Sequence, residues 1–352
     1  MMWRFDRFGD AVALKDEAGQ TLTYAQLEQE GAALSAAVGG RCLVFCLCRN
    51  TLGSVLGYTA FVQGGIVPAL LNAGIDAQLF EELYRAYHPA YLWVPEDYAH
   101  EECECVYERL GYRLLKTPWG AQTQLYPELA LLLTTSGSTG SPKFVRQSYQ
   151  NIRANTNSIV EYLELTAQER AITTLPMNYT YGLSILTTHL DVGATVLLTE
   201  KGIAQRDFWD FFRREEATSF GGVPYTYEML DRMRFTRMQL PSLRTMTQAG
   251  YMPGVLACDV CARYDGCDFY LDPVAGRLLC ADCAAKEHRT PNLDPGALYA
   301  LRHICLAEDA KLFNFTLTDQ SQRRLGRVCE QYVAAHLDYQ PKSLEFLHGV
   351  LE

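Results

Sequence analysis

The chain holds 352 residues, of which 48% are hydrophobic and 20% charged, and its formal net charge of -10 corresponds to a pI near 5.3. Such a length accommodates two or more domains of roughly 150 residues each, and such a composition belongs to ordinary globular protein rather than to a disordered chain. The acidic balance argues against a general binder of nucleic acid or membrane surfaces.

In chain order, the opening MMWRFDRFGDAVALKDE carries charges throughout and no apolar run, so it does not read as a secretory signal. TYAQLEQEGAALSAAV predicts a capped amphipathic helix, CLVFCLC a buried strand, and LGSVLGYTAFVQGG a second helix packed through small residues. VPALLNA and AYLWV supply further short apolar runs. The most apolar window, Val55 to Ala73, is interrupted by Gly57, Gly64, Gly65 and Pro68, and reads as core helix and strand rather than a membrane span. The alternation of helix and strand from Leu22 to about Gly250 predicts an α/β layered domain.

Leu131 to Lys143, LLLTTSGSTGSPK, runs an apolar strand into a loop of glycine, serine and threonine closed by a lysine. Gly137 and Gly140 permit close backbone approach, Ser136, Ser138 and Thr139 offer hydroxyl donors, and Lys143 supplies a point charge, which together make a cradle for a polyphosphate. It is not a Walker loop, because Ser141 and Pro142 separate the last glycine from the lysine. Ser148 is placed to cap a following helix in which Ile152, Ile159, Val160 and Leu163 recur near helical spacing. ERAITTLPMNYTYGLS then reads as a strand ending in a loop, followed by a helix through Leu190 and the strand ATVLLTE; FWDFFRREEATSFGGVPYTYEMLDRM continues as helix, short strand and helix.

TTSGSTGSPK resembles the signature loop of the adenylate-forming (AMP-binding) superfamily of acyl-CoA synthetases, aryl-CoA ligases and peptide-synthetase adenylation domains. TYAQL resembles that family's opening helix, LPMNYTYG its P-x-x-H-x-x-G acyl-pocket motif, FGGVPYTYEML the strand and helix before its adenine-binding turn, and RTMTQAG the start of that turn. The resemblance covers about residues 5 to 250 and implies activation of a carboxylic acid with ATP and Mg²⁺ to an acyl-adenylate. It implies that Thr135, Ser136, Gly137, Ser138, Thr139, Gly140 and Lys143 face the ATP phosphates, and that Tyr179, Gly182, Gln248, Ala249 and Gly250 belong to the acyl pocket or adenine turn. Tyr179 stands where many members carry histidine, so the resemblance does not extend to a substrate class; by itself Tyr179 reads as a buried aromatic ahead of a ligand contact. Beyond Gly250 the family's second glycine, tyrosine-glycine turn, magnesium-binding glutamate, ribose-binding aspartate, hinge and lysine-bearing lid are not found.

A cysteine module takes their place. Of twelve cysteines, five precede residue 250 and seven (Cys258, Cys261, Cys267, Cys280, Cys283, Cys305, Cys329) come after it. In a chain this long without a signal segment they are expected to be reduced, in a cytoplasmic setting. Cys258 and Cys261 form one CxxC, Cys280 and Cys283 another, and the 18 residues between them fit a hairpin turning near Asp272 to Gly276. Such spacing predicts a Cys₄ zinc ribbon holding a structural Zn²⁺ with no open position. Cys267 reads as a bystander and His288 as a solvated histidine just past the second knuckle.

ALYALRHICLAEDA and LTDQSQRRLGRVCEQYVAAHLDY then predict two helices, with Leu325, Val328, Tyr332, Val333 and His336 on one face of the second. GYMPGVLACDVC, the paired CxxC around FYLDPVAGRLLC, and the ending YVAAHLDYQPKSLEFL together resemble the C-terminal part of RecO recombination mediators, over about residues 250 to 352. The resemblance implies DNA-repair partners and a role in annealing single-stranded DNA, but the OB-fold that RecO proteins use for DNA is not found in this chain. Residues 251–352 carry 10 Lys and Arg against 14 Asp and Glu, so DNA binding by this part is expected to be weak or absent, and Arg323, Arg324 and Arg327 read as a solvated helix face.

The expected fold is therefore a truncated adenylate-forming α/β domain over residues 1–250, a zinc ribbon over 251–289 and a small all-α region over 290–352. Three functions compete: an incomplete acyl-adenylate-forming ligase without turnover, a RecO-like repair mediator, and an inactive chimera or gene-model artefact. No membrane partner is expected.

Overall fold

The computed structural model describes residues 2–98, 100, 103–120, 124–134, 144–248, 255, 257–306 and 316–336. The chain divides into two compact units, Met1–Ala249 and Gly250–Glu352.

The larger unit opens with strands β1 (Val12–Asp16) and β2 (Thr21–Thr23), paired antiparallel. Helix α1 (Tyr24–Val38) starts in a capping box, in which Gln26 N donates to Thr23 Oγ1 and Thr23 N donates back to Gln26 Oε1, and it stops at Gly39, whose φ of 84° a side chain would resist. Strand β3 (Leu43–Cys48), helix α2 (Leu52–Gln63) and strand β4 (Val67–Asn72) make a parallel crossover, and α3 (Ala77–Tyr87) leads to β5 (Tyr91–Pro95) on the other side of β3. A hairpin of β6 (Glu104–Arg109) and β7 (Tyr112–Lys116) extends one edge, and β8 (Leu129–Thr134) and β9 (Phe144–Ser148) the other, giving a seven-stranded sheet ordered β6-β7-β5-β3-β4-β8-β9.

Helix α4 (Tyr149–Tyr162) begins the second half, followed by β10 (Arg170–Ile172), α5 (Thr180–Val192), β11 (Thr195–Leu198), α6 (Arg206–Arg214), β12 (Ser219–Gly222), α7 (Pro224–Arg232) and β13 (Thr245–Gln248). Strands β10 to β13 run parallel and recruit β1 from the start of the chain, forming a six-stranded sheet ordered β13-β12-β10-β11-β1-β2.

Side-chain alternation along the strands fixes how these sheets stack. Val44, Cys46 and Leu70 of the first sheet and Leu14, Val196 and Leu198 of the second share one core with Leu27 and Leu34 of α1, Leu56 and Phe61 of α2, and Leu186 and Leu190 of α5. Helix α2 is buried from Leu52 to Val62, which accounts for its being apolar all round. The alternate residues Phe45, Leu47, Val67, Ala69 and Leu71 face the other way, onto Phe80, Leu83 and Tyr84 of α3. On the far side of the second sheet, Ile172, Leu197 and Phe220 meet Phe208, Trp209 and Phe212 of α6 and Leu230 of α7. The unit is thus five layers, helix, sheet, helices, sheet, helices. Gly57 is required for the middle layer: a Cβ there would lie 2.3 Å from the ring of Trp93, whose Nε1 donates to Gly53 O at 2.9 Å.

The smaller unit contains an antiparallel hairpin of β14 (Phe269–Leu271) and β15 (Leu278–Cys280), then helices α8 (Ala281–Lys286), α9 (Pro295–Leu306) and α10 (Asp319–His336). Asp272 makes the turn, its Oδ1 accepting from Val274 N at 2.9 Å and Ala275 N at 3.0 Å while its carbonyl accepts from Gly276 N. Those backbone donors, Ala275 foremost, hold the Asp272 carboxyl below its usual range. Phe269, Leu271, Leu278, Leu293, Leu298, Leu301, Leu325, Val328 and Tyr332 form one core, so hairpin and helices fold around the same apolar centre. Arg302 is buried within it: its guanidinium lies 3.9 Å from the centre of the Tyr264 ring and donates to Val255 O at 2.7 Å and Tyr264 O at 2.5 Å.

Most predicted elements stand where the sequence puts them, with three differences. Strand β9 lies between the phosphate loop and α4, although Ser148 does cap that helix by accepting from Asn151 N at 3.1 Å. Strands β1, β2 and β13, helices α3 and α8 and the β6-β7 hairpin have no counterpart in the sequence reading. On α10, Leu325, Val328 and Tyr332 are buried as expected, whereas Val333 is 43% exposed because it turns off the face that meets α9; the side chain of His336 lies outside the described residues. Among the described residues, no helix is long and apolar enough to cross a membrane.

Candidate functional site

The phosphate loop, Thr135 to Lys143, lies outside the described residues, as do Ala249, Gly250 and the side chain of Gln248. The strands that hold the loop's ends are described: β8 and β9 pair antiparallel with Thr134 opposite Phe144, which brings both ends of the loop together at one end of the seven-stranded sheet. The backbone of Gln248 closes β13 opposite Gly222 of β12.

A cleft of about 620 Å³ opens beside these two strands. One wall is α4 and the turn after it, through Asn155, Ile159, Tyr162 and Leu163; a second is α5 from Tyr179 to His189; the floor is Ser219 to Gly221 of β12 and Thr245 to Thr247 of β13. The floor uses the first three residues of each strand, so the cleft runs along β12 and β13 and stops short of their carboxyl-terminal residues Gly222 and Gln248. The walls are tied together. Arg153 of α4 pairs with Asp191 of α5 at 2.7 Å, Tyr181 Oη donates to Thr247 Oγ1 at 2.6 Å, and Tyr227 Oη donates to Thr247 O at 2.7 Å. Burial, with Tyr181 alongside, pushes the Tyr227 phenol up to about 12, so it stays a neutral donor.

Tyr179 is half-buried and lines the cleft at the residue capping α5. Gly182 is buried one turn on and does not line the cleft. A Cβ there would meet Pro176 O at 2.2 Å, so this glycine lets the Leu175–Pro176 turn fold onto the helix. Sequence reading did not single out Asn155, His189, Ser219 or Thr247 as site residues, because the cleft gathers them from four elements; Thr247 alone falls in a quoted segment, RTMTQAG.

His189 sits on α5 at 5% exposure, its Nδ1 donating to Ile185 O at 2.8 Å. Burial drives its pKa below the ordinary 6.5, against the Ile185 carbonyl and the charge of Glu169, which both raise it. A carbonyl only accepts, so the neutral ring carries its proton on Nδ1 and leaves Nε2 as a bare acceptor. Among the described residues neither His189 Nε2 nor Ser219 Oγ has a hydrogen-bond partner, although both are buried.

In the smaller unit, the sulfurs of Cys258, Cys261, Cys280 and Cys283 all lie within 4.8 Å of one another, Cys261 and Cys280 at 3.5 Å. A tetrahedral ion with Zn–S bonds of about 2.3 Å needs its sulfurs roughly 3.8 Å apart, so the four thiols fit a zinc ribbon. Cys258 and Cys261 come from a knuckle closed by Ala262 N donating to Cys258 O at 2.8 Å; Cys280 ends β15, and Cys283 lies on α8. Burial disfavours the Cys258 thiolate, yet the backbone N–H groups of Cys280, Cys261 and Val260 outweigh it and bring this thiol down to about 6. Burial and the neighbouring sulfurs push Cys283 up to about 12, so the donor set without a cation resists full ionisation. Cys267 and the exposed His288 stand outside the cluster.

Comparison with known proteins agrees with both geometries. Residues 2–266 match the family model described as AMP-binding enzyme, and residues 240–345 match the model described as Recombination protein O C terminal. The indoleacetate–CoA ligase of Aromatoleum aromaticum is 36% identical over 147 residues, 41% of this chain and 28% of that protein. The mitochondrial malonate–CoA ligase ACSF3 of Homo sapiens is 28% identical over 252 residues, 63% of this chain and 43% of that protein. The DNA repair protein RecO of Acetivibrio thermocellus is 24% identical over 123 residues, 35% of this chain and 49% of that protein. The chain therefore spans less than half the length of each of these relatives. Among solved structures, o-succinylbenzoate CoA synthetase from Bacillus subtilis, bound to the acyl-adenylate OSB-AMP, superposes with a TM-score of 0.57 at 22% identity, over 69% of this chain and 52% of that one. ATP-bound MatB from Rhodopseudomonas palustris gives 0.53 at 18% identity, over 69% and 54%. These likenesses show the fold. The five-layered unit and its cleft fall within the longer of the two matches, and on that match the chain belongs to the AMP-binding enzyme family, joined to a RecO-type C-terminal segment.

Proposed function

We propose that the larger unit retains the carboxylate and nucleotide sites of an acyl-adenylate-forming ligase without completing the reaction. The cleft between α4, α5 and the strands β12 and β13, the second of which runs toward Gln248, supports this reading. A carboxylic acid would lie in the cleft with Tyr179 at its mouth, the loop Thr135 to Lys143 would hold the β- and γ-phosphates of Mg²⁺-bound ATP, and Gln248, Ala249 and Gly250 would meet adenine. The acids named for relatives range from indoleacetate to malonate and oxalate.

Absence of turnover follows from the change of sequence within residues 240–266, where the two family matches overlap. The magnesium, ribose and lid residues of the ligase family would lie beyond that segment, and RecO-type sequence occupies their place. Removing one transition-state donor typically costs roughly 10² to 10³ in rate, and several are replaced at once. ATP/pyrophosphate exchange over a panel of carboxylic acids is expected to show none, with weak nucleotide binding at most; clear exchange with any acid overturns the reading.

The cysteine cluster supports a second role for the smaller unit, as a zinc-stabilised module that meets DNA-repair proteins in the cytoplasm. Its acidic balance of 14 carboxylates to 10 Lys and Arg speaks against DNA as a direct partner. Anisotropy titrations with single-stranded DNA at two salt concentrations are expected to show weak binding or none, and tight salt-sensitive binding would instead favour a direct annealing role.

A further inference from the structure

Outside the cleft, three side chains of the larger unit line up as thiol, imidazole and carboxylate. Cys103 Sγ lies 3.6 Å from His100 Nδ1, and His100 Nε2 lies 3.1 Å from Glu81 Oε1 on α3. A carboxylate only accepts, so the neutral ring carries its proton on Nε2 and turns Nδ1, a bare acceptor, to the thiol. Glu81 is itself held, because Arg85 Nε donates to its Oε2 at 3.3 Å from one turn along the helix. Tyr84 packs on the imidazole with its ring centre 4.6 Å away, and Cys103 N donates to His100 O at 3.2 Å, which fixes thiol and base in one turn of chain. Tyr84 Oη lies 3.5 Å from the sulfur, within reach to donate to a thiolate. Burial, with the charges of Glu81 and Cys103 adding to it, pushes the Tyr98 phenol up to about 12, so a neutral ring borders the group. Cys103 is half-buried at the edge of the core between the first sheet and α3, and so retains access to solvent.

A nucleophile, a base within hydrogen-bond reach and a third group that orients the base make an activated thiol. We propose that Cys103 is a modification site that takes up a thiol group from small disulfides, with His100 as its base and Glu81 as the positioning residue. The proton of Cys103 passes to His100 Nδ1, and Glu81 pairs with the imidazolium that forms. The thiolate attacks one sulfur of the disulfide; the new Sγ–S bond forms as the old S–S bond breaks, and the departing thiolate takes the proton from Nδ1. The disulfide is both the oxidant and the source of the group, so the exchange balances with no further reactant. The site is independent of the carboxylate-binding reading of the cleft.

Cys105 supplies the comparison. It lies two residues on, is more exposed than Cys103, and its Sγ donates to Tyr107 O at 3.6 Å, a carbonyl that does not take up the proton. Exposure alone would therefore make Cys105 react first. Incubation of the full chain, zinc present, with glutathione disulfide, followed over time by mass mapping of the segment that holds both cysteines, tests this. Cys103 is expected to be modified about tenfold faster than Cys105. His100→Phe should bring Cys103 down to about the rate of Cys105, and Glu81→Gln should slow it about threefold, with Cys105 unchanged in both. A variant that merely loosened the fold would expose Cys103 and speed its modification, so the sign of the change separates loss of the base from loss of structure. Glu81→Gln keeps the test open should His100→Phe fail to fold. Modification of Cys105 ahead of Cys103, equal rates for the two, or a Cys103 rate unchanged or raised in the variants would overturn the inference.

Discussion

Helix α2 of the larger unit is buried over eleven of its twelve residues, between two sheets of seven and six strands, while the hairpin of the smaller unit pairs three residues per strand around four thiols. The difference is one of surface to volume. A chain of some 250 residues can enclose layers that face protein on both sides, whereas about a hundred residues close a single small core of hairpin and helices and gain more from added staples. The larger unit is therefore held by apolar area and specified by fit, as at Gly57 and Trp93, and the smaller one by a single apolar core reinforced by a few polar devices: the Cys₄ cluster, the Asp272 turn and the buried Arg302. Function divides along the same line. The layered unit has room for a 620 Å³ cleft, and the stapled one spends its cysteines on shape.

Metal removal should separate the two most sharply. Structural Zn²⁺ contributes apparent binding free energies of about 10–16 kcal/mol in small zinc modules, more than such a fold otherwise possesses. Chelation, or Cys280→Ser, is expected to abolish hydrogen-exchange protection through 257–306 and to release about one zinc per chain. All four tryptophans, Trp3, Trp93, Trp119 and Trp209, lie in the larger unit, so its emission should not change. Protection that survives without metal would break the comparison, because the smaller core would then stand alone.

The converse test is Trp93→Ala. Trp93 is fully buried against Phe61 and Tyr112, and its loss leaves a cavity in the middle layer worth about 3–5 kcal/mol. Urea unfolding followed by the remaining tryptophans should show that drop while zinc content stays unchanged. A loss under about 1 kcal/mol would mean the layers can close over the gap and are not specified by fit.

What could be read from sequence tracks this division. Helix α2 and strand β3 were legible because burial on every side demands uninterrupted apolar residues, and the ribbon because four cysteines at fixed spacing have few other uses. Strand β6 was not, since all six of its residues face solvent at least in part and its pairing with β7 leaves no apolar alternation to see. Helix α3 carries a signal of its own, Asp76 as cap with Phe80, Leu83 and Tyr84 on one face. The cleft lay beyond reach for another reason. Asn155 and Thr247 are brought together by three crossovers, and a lone histidine on an apolar helix says nothing of whether its second nitrogen has a partner. The two cysteine pairs, by contrast, lie 18 residues apart and announce their own contact.

Arg302→Ala probes the polar devices singly. The guanidinium stacks on Tyr264 and satisfies the carbonyls of buried Val255 and half-exposed Tyr264, so truncation strands the Val255 acceptor and loses the ring contact. The expected cost to the smaller unit is about 2–3 kcal/mol, read as faster exchange through α9 with zinc retained. Loss of zinc along with protection would instead make the arginine part of the metal site's support.

The smallest expected effect reaches into the cleft. His189 is buried neutral, with its pKa lowered by burial, so below about pH 6.5 the unfolded chain takes up a proton that the folded chain refuses. Unfolding then gains protons, and this residue's contribution makes the larger unit less stable as the pH falls, by up to about 1.4 kcal/mol per pH unit until the folded pKa is reached; above 6.5 it adds no slope. Glu169, the charge that acts on the ring, opposes the shift and sets how far down the loss continues. Urea midpoints from tryptophan emission, taken from pH 7.5 to 5 on the chain and on His189→Gln, isolate the histidine because every other titrating group is common to both. The variant should lose less stability over that range. Parallel curves would mean that the folded protein lets the ring protonate in its buried position, and that burial at this point of α5 excludes less charge than the apolar wall suggests.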